Sequence, residues 1–170
     1  MPTTTYSSPL TDHLISEYAA YRLANAGTDE SKIAPFFSPT IHQTCRPLPS
    51  FSATTREEIL AYLAHHKENL QASSSADAPK VEGKWELREL TDEEKKDIPE
   101  EFKEISKKES WEGRRVDLWD EVEGQSEVDK KKVVVNYYWR MEGGRWVQCL
   151  HDILWFSNNV GVERLVDGQE

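Results

Sequence analysis

His151 and Asn136 are a pair that could do chemistry, because each stands on one of two adjacent β-rich runs. An imidazole with an ordinary pKa near 6.5 takes and returns a proton close to neutral pH. A carboxamide across the strand would orient the ring or hydrogen-bond a substrate carbonyl. Tyr138, Arg140 and Cys149 fall on the same face by period-two counting and would polarise an oxygen. Such a group supports proton abstraction beside a carbonyl, as in isomerisation, dehydration or ring closure. The competing reading is a polar cross-strand pair satisfied within the sheet.

The pairing rests on Gly143-Gly144, a two-residue link suited to a tight hairpin because both residues adopt positive φ freely. Counting outward places Glu142 opposite Arg145, Trp139 opposite Gln148, Tyr138 opposite Cys149, and Asn136 opposite His151. Asp152 then falls opposite Val135, on the other face. There a carboxylate among apolar side chains would have its pKa raised by desolvation. Asp152 replaces His151 as the candidate base if its face lines the cavity, and a bulge would exchange the two faces. Pairing with Lys or Arg is its structural alternative.

Candidate ligand contacts come from several places. Trp155 lies on the His151 face of the second run, and Tyr18 on the apolar stripe of the first helix. His42 and Arg46 share one side of an early extended segment, where His42 could reach a cavity mouth and Arg46 could clamp a carboxylate. No His or Cys spacing suits a metal, so none is expected, and no glycine-rich phosphate loop precedes a helix. No cofactor is implied.

The elements that must position these residues follow from pattern. A first helix is expected from about Thr11 to Ala26, a short one over Glu30 to Phe36, and an extended segment from Thr40 to Arg46. A third helix begins near Thr54 or Thr55, with Thr55 and Glu58 spaced as a capping box. Alternation predicts strands over Val81 to Leu90, Arg114 to Val122, Lys132 to Met141, Arg145 to Phe156 and Val160 to Val166. Between Thr91 and Glu112 the chain turns highly charged, yet Ile98, Phe102 and Ile105 keep helical spacing with Asp97 placed to cap. That predicts an inserted amphipathic helix, either a lid or a solvated surface helix.

Both faces of the hairpin are too apolar to meet water. One must be covered by helices, and the other by the insertion or a second copy, so a homodimer through the outer sheet face is expected.

The chain has 170 residues, 31% of them charged, and a formal net charge of −10. Nucleic acid and anionic membranes are poor partners for such a surface. No apolar run is long enough to span a bilayer. Two separated cysteines suit a reducing, cytoplasmic setting.

The order helix, short helix, extended segment, helix, long sheet resembles the nuclear-transport-factor-2-like superfamily, in its SnoaL-like, polyketide cyclase-like branch. Pro35-Phe36-Phe37-Ser38-Pro39-Thr40-Ile41-His42 with Thr55-Arg56-Glu57-Glu58-Ile59 is similar to the family's opening. Trp146 to Leu154 and Val160 to Leu165 look like its last strands. The resemblance implies a single α+β domain over 10–170, after a loose tail at 1–9. Its cone-shaped, curved mixed or antiparallel sheet would wrap about three N-terminal helices, with the charged insertion near 91–112 as the departure. It also implies a cavity between sheet and helices, and the family's use of an Asp base is what makes Asp152 relevant. A small hydrophobic molecule is the expected partner, bound in an apolar, aromatic-lined pocket. Members include isomerases, dehydratases, cyclases and adaptors, so the fold alone chooses no activity. Three readings stay open: ligand binding without catalysis, a cofactor-independent lyase, isomerase or cyclase, and an interaction adaptor.

Overall fold

The computed structural model describes residues 8–27, 29–47, 49, 52–73, 81–122 and 132–156, with only the backbone for 66–73, 81–82, 120–122 and 155–156. The expected strand over Val160 to Val166 lies outside the described residues.

Helix α1 (Pro9–Asn25) starts where Ser8 accepts from the Thr11 N–H, with Pro9 in its first turn. Helix α2 (Glu30–Ile33), capped by Asp29, runs on through a 3-10 turn into strand β1 (Phe37–Cys45). Helix α3 (Arg56–Ser73) opens where the Glu58 N–H donates to Thr55 Oγ1 at 3.1 Å. Strand β2 (Val81–Glu89) leads into helix α4 (Asp92–Lys96), a 3-10 turn at Glu100–Phe102, and helix α5 (Lys103–Lys108). Strands β3 (Glu112–Val122), β4 (Lys132–Glu142) and β5 (Arg145–Phe156) complete the described chain.

The five strands form one mixed sheet in the order β1-β5-β4-β3-β2, with β1 parallel to β5 and the other pairs antiparallel. The inner face carries Val135, Tyr137 and Trp139 of β4 and packs with Leu14, Tyr18 and Tyr21 of α1 and Ile59 of α3. On the outer face a smaller cluster joins Tyr138, Cys149 and Leu150 to Ile98 and Phe102 of the insertion. The insertion therefore covers part of the second apolar face.

It does so in two pieces, which corrects the expectation of one helix capped by Asp97. Thr91 and Glu94 form a complete capping box for α4, and Asp97 ends that helix. Pro99 follows, and a proline disfavours helical backbone at the residue before it. Phe102 is buried while Ile105, predicted on the same stripe, is 40% exposed.

The turn is as predicted. Glu142 pairs with Arg145 across Gly143 (φ 59°) and Gly144 (φ 81°). The ladder then slips. Trp139 faces Gln148, but Tyr138 faces Leu150, leaving Cys149 as the extra residue of a bulge. Asn136 consequently faces Asp152, and Tyr137 faces His151. A second irregularity at Leu154 slips the ladder by one more residue and places Trp155 opposite Val134.

Candidate functional site

The bulge moves His151 to the inner face, away from Asn136. Its ring packs against Tyr137 and Phe37 with centroids 4.7 and 5.4 Å away. Nε2 lies 2.6 Å from Gln148 Oε1 and Nδ1 lies 3.3 Å from Gln43 Oε1. Burial pushes its pKa down to about 3, so the ring is neutral at physiological pH. A neutral imidazole has one N–H, so one of the two glutamines must present its amide nitrogen to the ring. Close by, Tyr18 donates to Tyr137 across 3.4 Å, and burial raises the pKa of both phenols. The inner face at His151 is thus packed and polar-satisfied.

Asp152, expected opposite Val135, stands instead on the outer face beside Asn136, and is fully buried. Thr44 donates to its Oδ1 at 2.9 Å, Arg46 Nε donates to the same oxygen at 3.2 Å, and Arg46 Nη2 donates to Oδ2 at 2.8 Å. The same guanidinium reaches Asp97 Oδ1 and Oδ2 at 3.0 and 2.9 Å. Burial works against the charged guanidinium, but the two carboxylates outweigh it and raise the Arg46 pKa. Arg46 is therefore a fastener between the sheet and the insertion. It borders a cavity of about 360 Å3 with Asp152, Asp97 and Glu100.

Three more arginines fasten the same segment. Arg88 donates to Glu94 Oε1 at 2.7 Å and Oε2 at 2.9 Å, and Arg115 pairs with Glu94 Oε2. The Arg88 contacts chiefly hold the Glu94 carboxyl down to about 2. Arg140 donates to Glu109 Oε1 at 2.9 Å and to Ser38 at 2.6 Å. Burial pushes Glu109 up, but the Trp111 indole N–H and Arg140 together lower it. Arg140, predicted to polarise a ligand oxygen, is thus committed to the insertion.

Between the clamped insertion and the sheet lies a larger cavity of about 760 Å3. Its apolar wall is Leu90, Ile98, Trp111 and Tyr138. Gly113 makes room for it: a Cβ there would come 2.7 Å from Tyr138 Cε1 and 2.8 Å from Leu90 Cδ1. Tyr138 is 95% buried, and its hydroxyl has no hydrogen-bond partner among the described residues. Asn136 Nδ2 also meets no geometric partner there, but its amide lies close enough to the Tyr138 hydroxyl to favour the phenolate, while its Oδ1 accepts from Arg115 Nε at 3.0 Å. Burial pushes the Tyr138 phenol up to about 12, which keeps it a neutral donor.

Of the remaining candidates, His42 meets Phe102 edge to face with centroids 5.3 Å apart and bonds its own strand through Thr40 O. Burial raises the Cys149 thiol pKa, and its S–H donates to Tyr138 O at 3.3 Å. The side chain of Trp155 lies outside the described residues. Among the described residues, no three His, Cys, Asp or Glu side chains gather to hold a metal, and no helix is long and apolar enough to cross a membrane. Sequence reasoning missed Trp111 and the lysines of α4 and α5. The available signal was Gly113, since a glycine inside a strand marks close approach of another group.

A model for the SnoaL-like domain matches residues 3–169. The chain belongs to the SnoaL-like domain family. Among solved structures, 58 chains match. One is Aln2 from a Streptomyces species, 13% identical over 98% of this chain and 100% of that one, with a TM-score of 0.57. Another is ActVI-ORFA from Streptomyces coelicolor, 13% identical over 86% and 97%, with a TM-score of 0.51. A ketosteroid isomerase-like protein from Erwinia carotovora atroseptica is 12% identical over 86% and 96%, with a TM-score of 0.51. At such identities the likeness is one of fold. No curated protein sequence matches the chain. This SnoaL-like domain is thus the mixed α+β fold expected, with a charged insertion fastened across its outer face.

Proposed function

We propose that this SnoaL-like protein binds a small, largely apolar molecule without proton-transfer chemistry, in the cavity of about 760 Å3 beneath the insertion. The observation that carries the reading is the aromatic and aliphatic wall of that cavity, built from Leu90, Ile98, Trp111 and Tyr138. Its volume falls within the ~300–1,000 Å3 range of small-molecule sites. Water in a wall of this character is poorly held, and its displacement favours an apolar ligand.

The alternative, a cofactor-independent lyase, isomerase or cyclase, draws support from Asp152 at the rim of the smaller cavity. A base must have a lone pair free to accept the substrate's proton. Asp152 accepts three hydrogen bonds from Thr44 and Arg46 and is ion-paired to that guanidinium, and His151 is enclosed by two glutamines. Binding is therefore the better-supported reading. The homodimer remains part of the proposal over the end of the outer face carrying Asp117 and Val134, since the insertion covers the part at Tyr138, Cys149 and Leu150. A cytoplasmic setting accords with two buried cysteines that form no disulfide.

The test is a titration with the neutral, flat probe N-phenyl-1-naphthylamine. Ser106 lines the cavity, and Ser106→Trp would fill it. Saturable one-to-one binding that Ser106→Trp abolishes, with the melting curve retained, is the expected result. Equal binding by both proteins would remove the cavity from consideration.

A further inference from the structure

We infer that the ligand of the insertion cavity is an anion on a flat apolar body, such as an aromatic carboxylate or sulfonate. This rests on the cavity-binding reading above and adds the ligand's charge. The chain carries a formal net charge of −10, yet this one cavity is lined by five cationic side chains and only two carboxylates. Both carboxylates are already engaged: Glu89 accepts from Thr11 at 2.7 Å, and Glu112 pairs with Arg114 at 3.2 Å. The lining thus carries a net surplus of three positive charges, and the cations not paired within the lining are Lys95, Lys96, Lys103 and Lys107 of the insertion.

Those lysines are weakly held. Lys95 and Lys96 stand 3.9 and 3.8 Å from carboxylates one turn away, all well exposed, and such pairs contribute little. Lys103 has Glu100 at 2.6 Å, also at the surface. Lys107 makes no ion pair among the described residues. Lys103 and Lys107 are four residues apart on α5 and so share one face, with Ser106 beside them. An anionic ligand lying flat on Trp111 and Tyr138 would place its charge among the lysines at the mouth.

The probes are 1-anilinonaphthalene-8-sulfonate and its uncharged counterpart N-phenyl-1-naphthylamine, titrated against wild type, Lys103→Ala/Lys107→Ala and Ser106→Trp. The sulfonate should bind wild type at least tenfold tighter than the neutral probe at low salt. The lysine double variant should erase that margin while leaving the neutral probe unchanged. Ser106→Trp should abolish both. Equal affinities in wild type, or a margin that survives the double variant, would overturn the anion assignment and leave cavity binding standing. Sulfonate binding that survives Ser106→Trp would overturn it too, as binding elsewhere. Failure of both probes on wild type would bring down the cavity reading and this inference with it.

Discussion

Tyr138 holds a buried hydroxyl beside Asn136 with no acceptor among the described residues, and this cost has a measurable sign. An unsatisfied buried polar group costs roughly 1–3 kcal/mol, so removing it relieves the folded state. Tyr138→Phe should therefore raise the stability of the ligand-free protein by about 1 kcal/mol in urea denaturation. A loss of comparable size would mean the hydroxyl is already paired. Arg46 is the opposite case, since removing it strands the fully buried Asp152 carboxylate. Because the guanidinium is half-exposed, Arg46→Ala should cost about 2–3 kcal/mol, below the usual range for a wholly buried pair. His151 sets a pH dependence: its folded pKa of about 3 lies below the ordinary 6.5, so the unfolded chain binds the proton first on acidification. Stability should fall as pH drops from 6.5 toward 3, by up to about 1.4 kcal/mol per pH unit from this group, and His151→Gln should flatten that slope. The partners of His151 and Asp152 were not legible in the sequence. Counting by twos from Gly143-Gly144 holds as far as Gln148, then fails at Cys149, which carries neither glycine nor proline to announce a bulge.

The insertion shows which features of an element its residues reveal. Its position, its charge and its buried Ile98 and Phe102 were readable from helical spacing, and Pro99 marked the break. Its end was not. Ser110 closes α5 in left-handed backbone (φ 55°), with the Trp111 N–H donating to Ser106 O at 2.8 Å and the Ser110 N–H to Lys107 O at 3.3 Å. Glycine normally fills that place in a Schellman cap, so nothing in the residue type marked it. Ser110→Gly should stabilise the protein by about 0.5–1 kcal/mol, read as a raised denaturation midpoint with unchanged cooperativity. The insertion should also be acid-labile. Glu94 has its pKa lowered to about 2 from 4.5, so its contribution is complete above pH 4.5 and is lost as pH falls toward 2. Hydrogen exchange across 92–108 should accelerate in that window before the sheet strands open. Simultaneous opening of β4 would contradict the view of the insertion as a separately fastened cover.

At the scale of the molecule, element order alone led to the right family, because a helix-rich opening and a long antiparallel sheet follow from periodicity and turn chemistry. Placing the site was harder, since it depends on which sheet face is filled and which is roofed. Among the described residues Tyr18, Tyr137, Trp139 and His151 pack together on the inner face, and the roofed outer face leaves the cavity. The most direct test labels the tryptophan indoles with nitrogen-15 and follows their N–H resonances during titration with N-phenyl-1-naphthylamine, assigning Trp111 by Trp111→Phe. The account predicts that Trp111, whose indole N–H donates to Glu109 at 3.0 Å beside the cavity, shifts while Trp139 on the inner face stays still. A shift of Trp139 with Trp111 unmoved would contradict it.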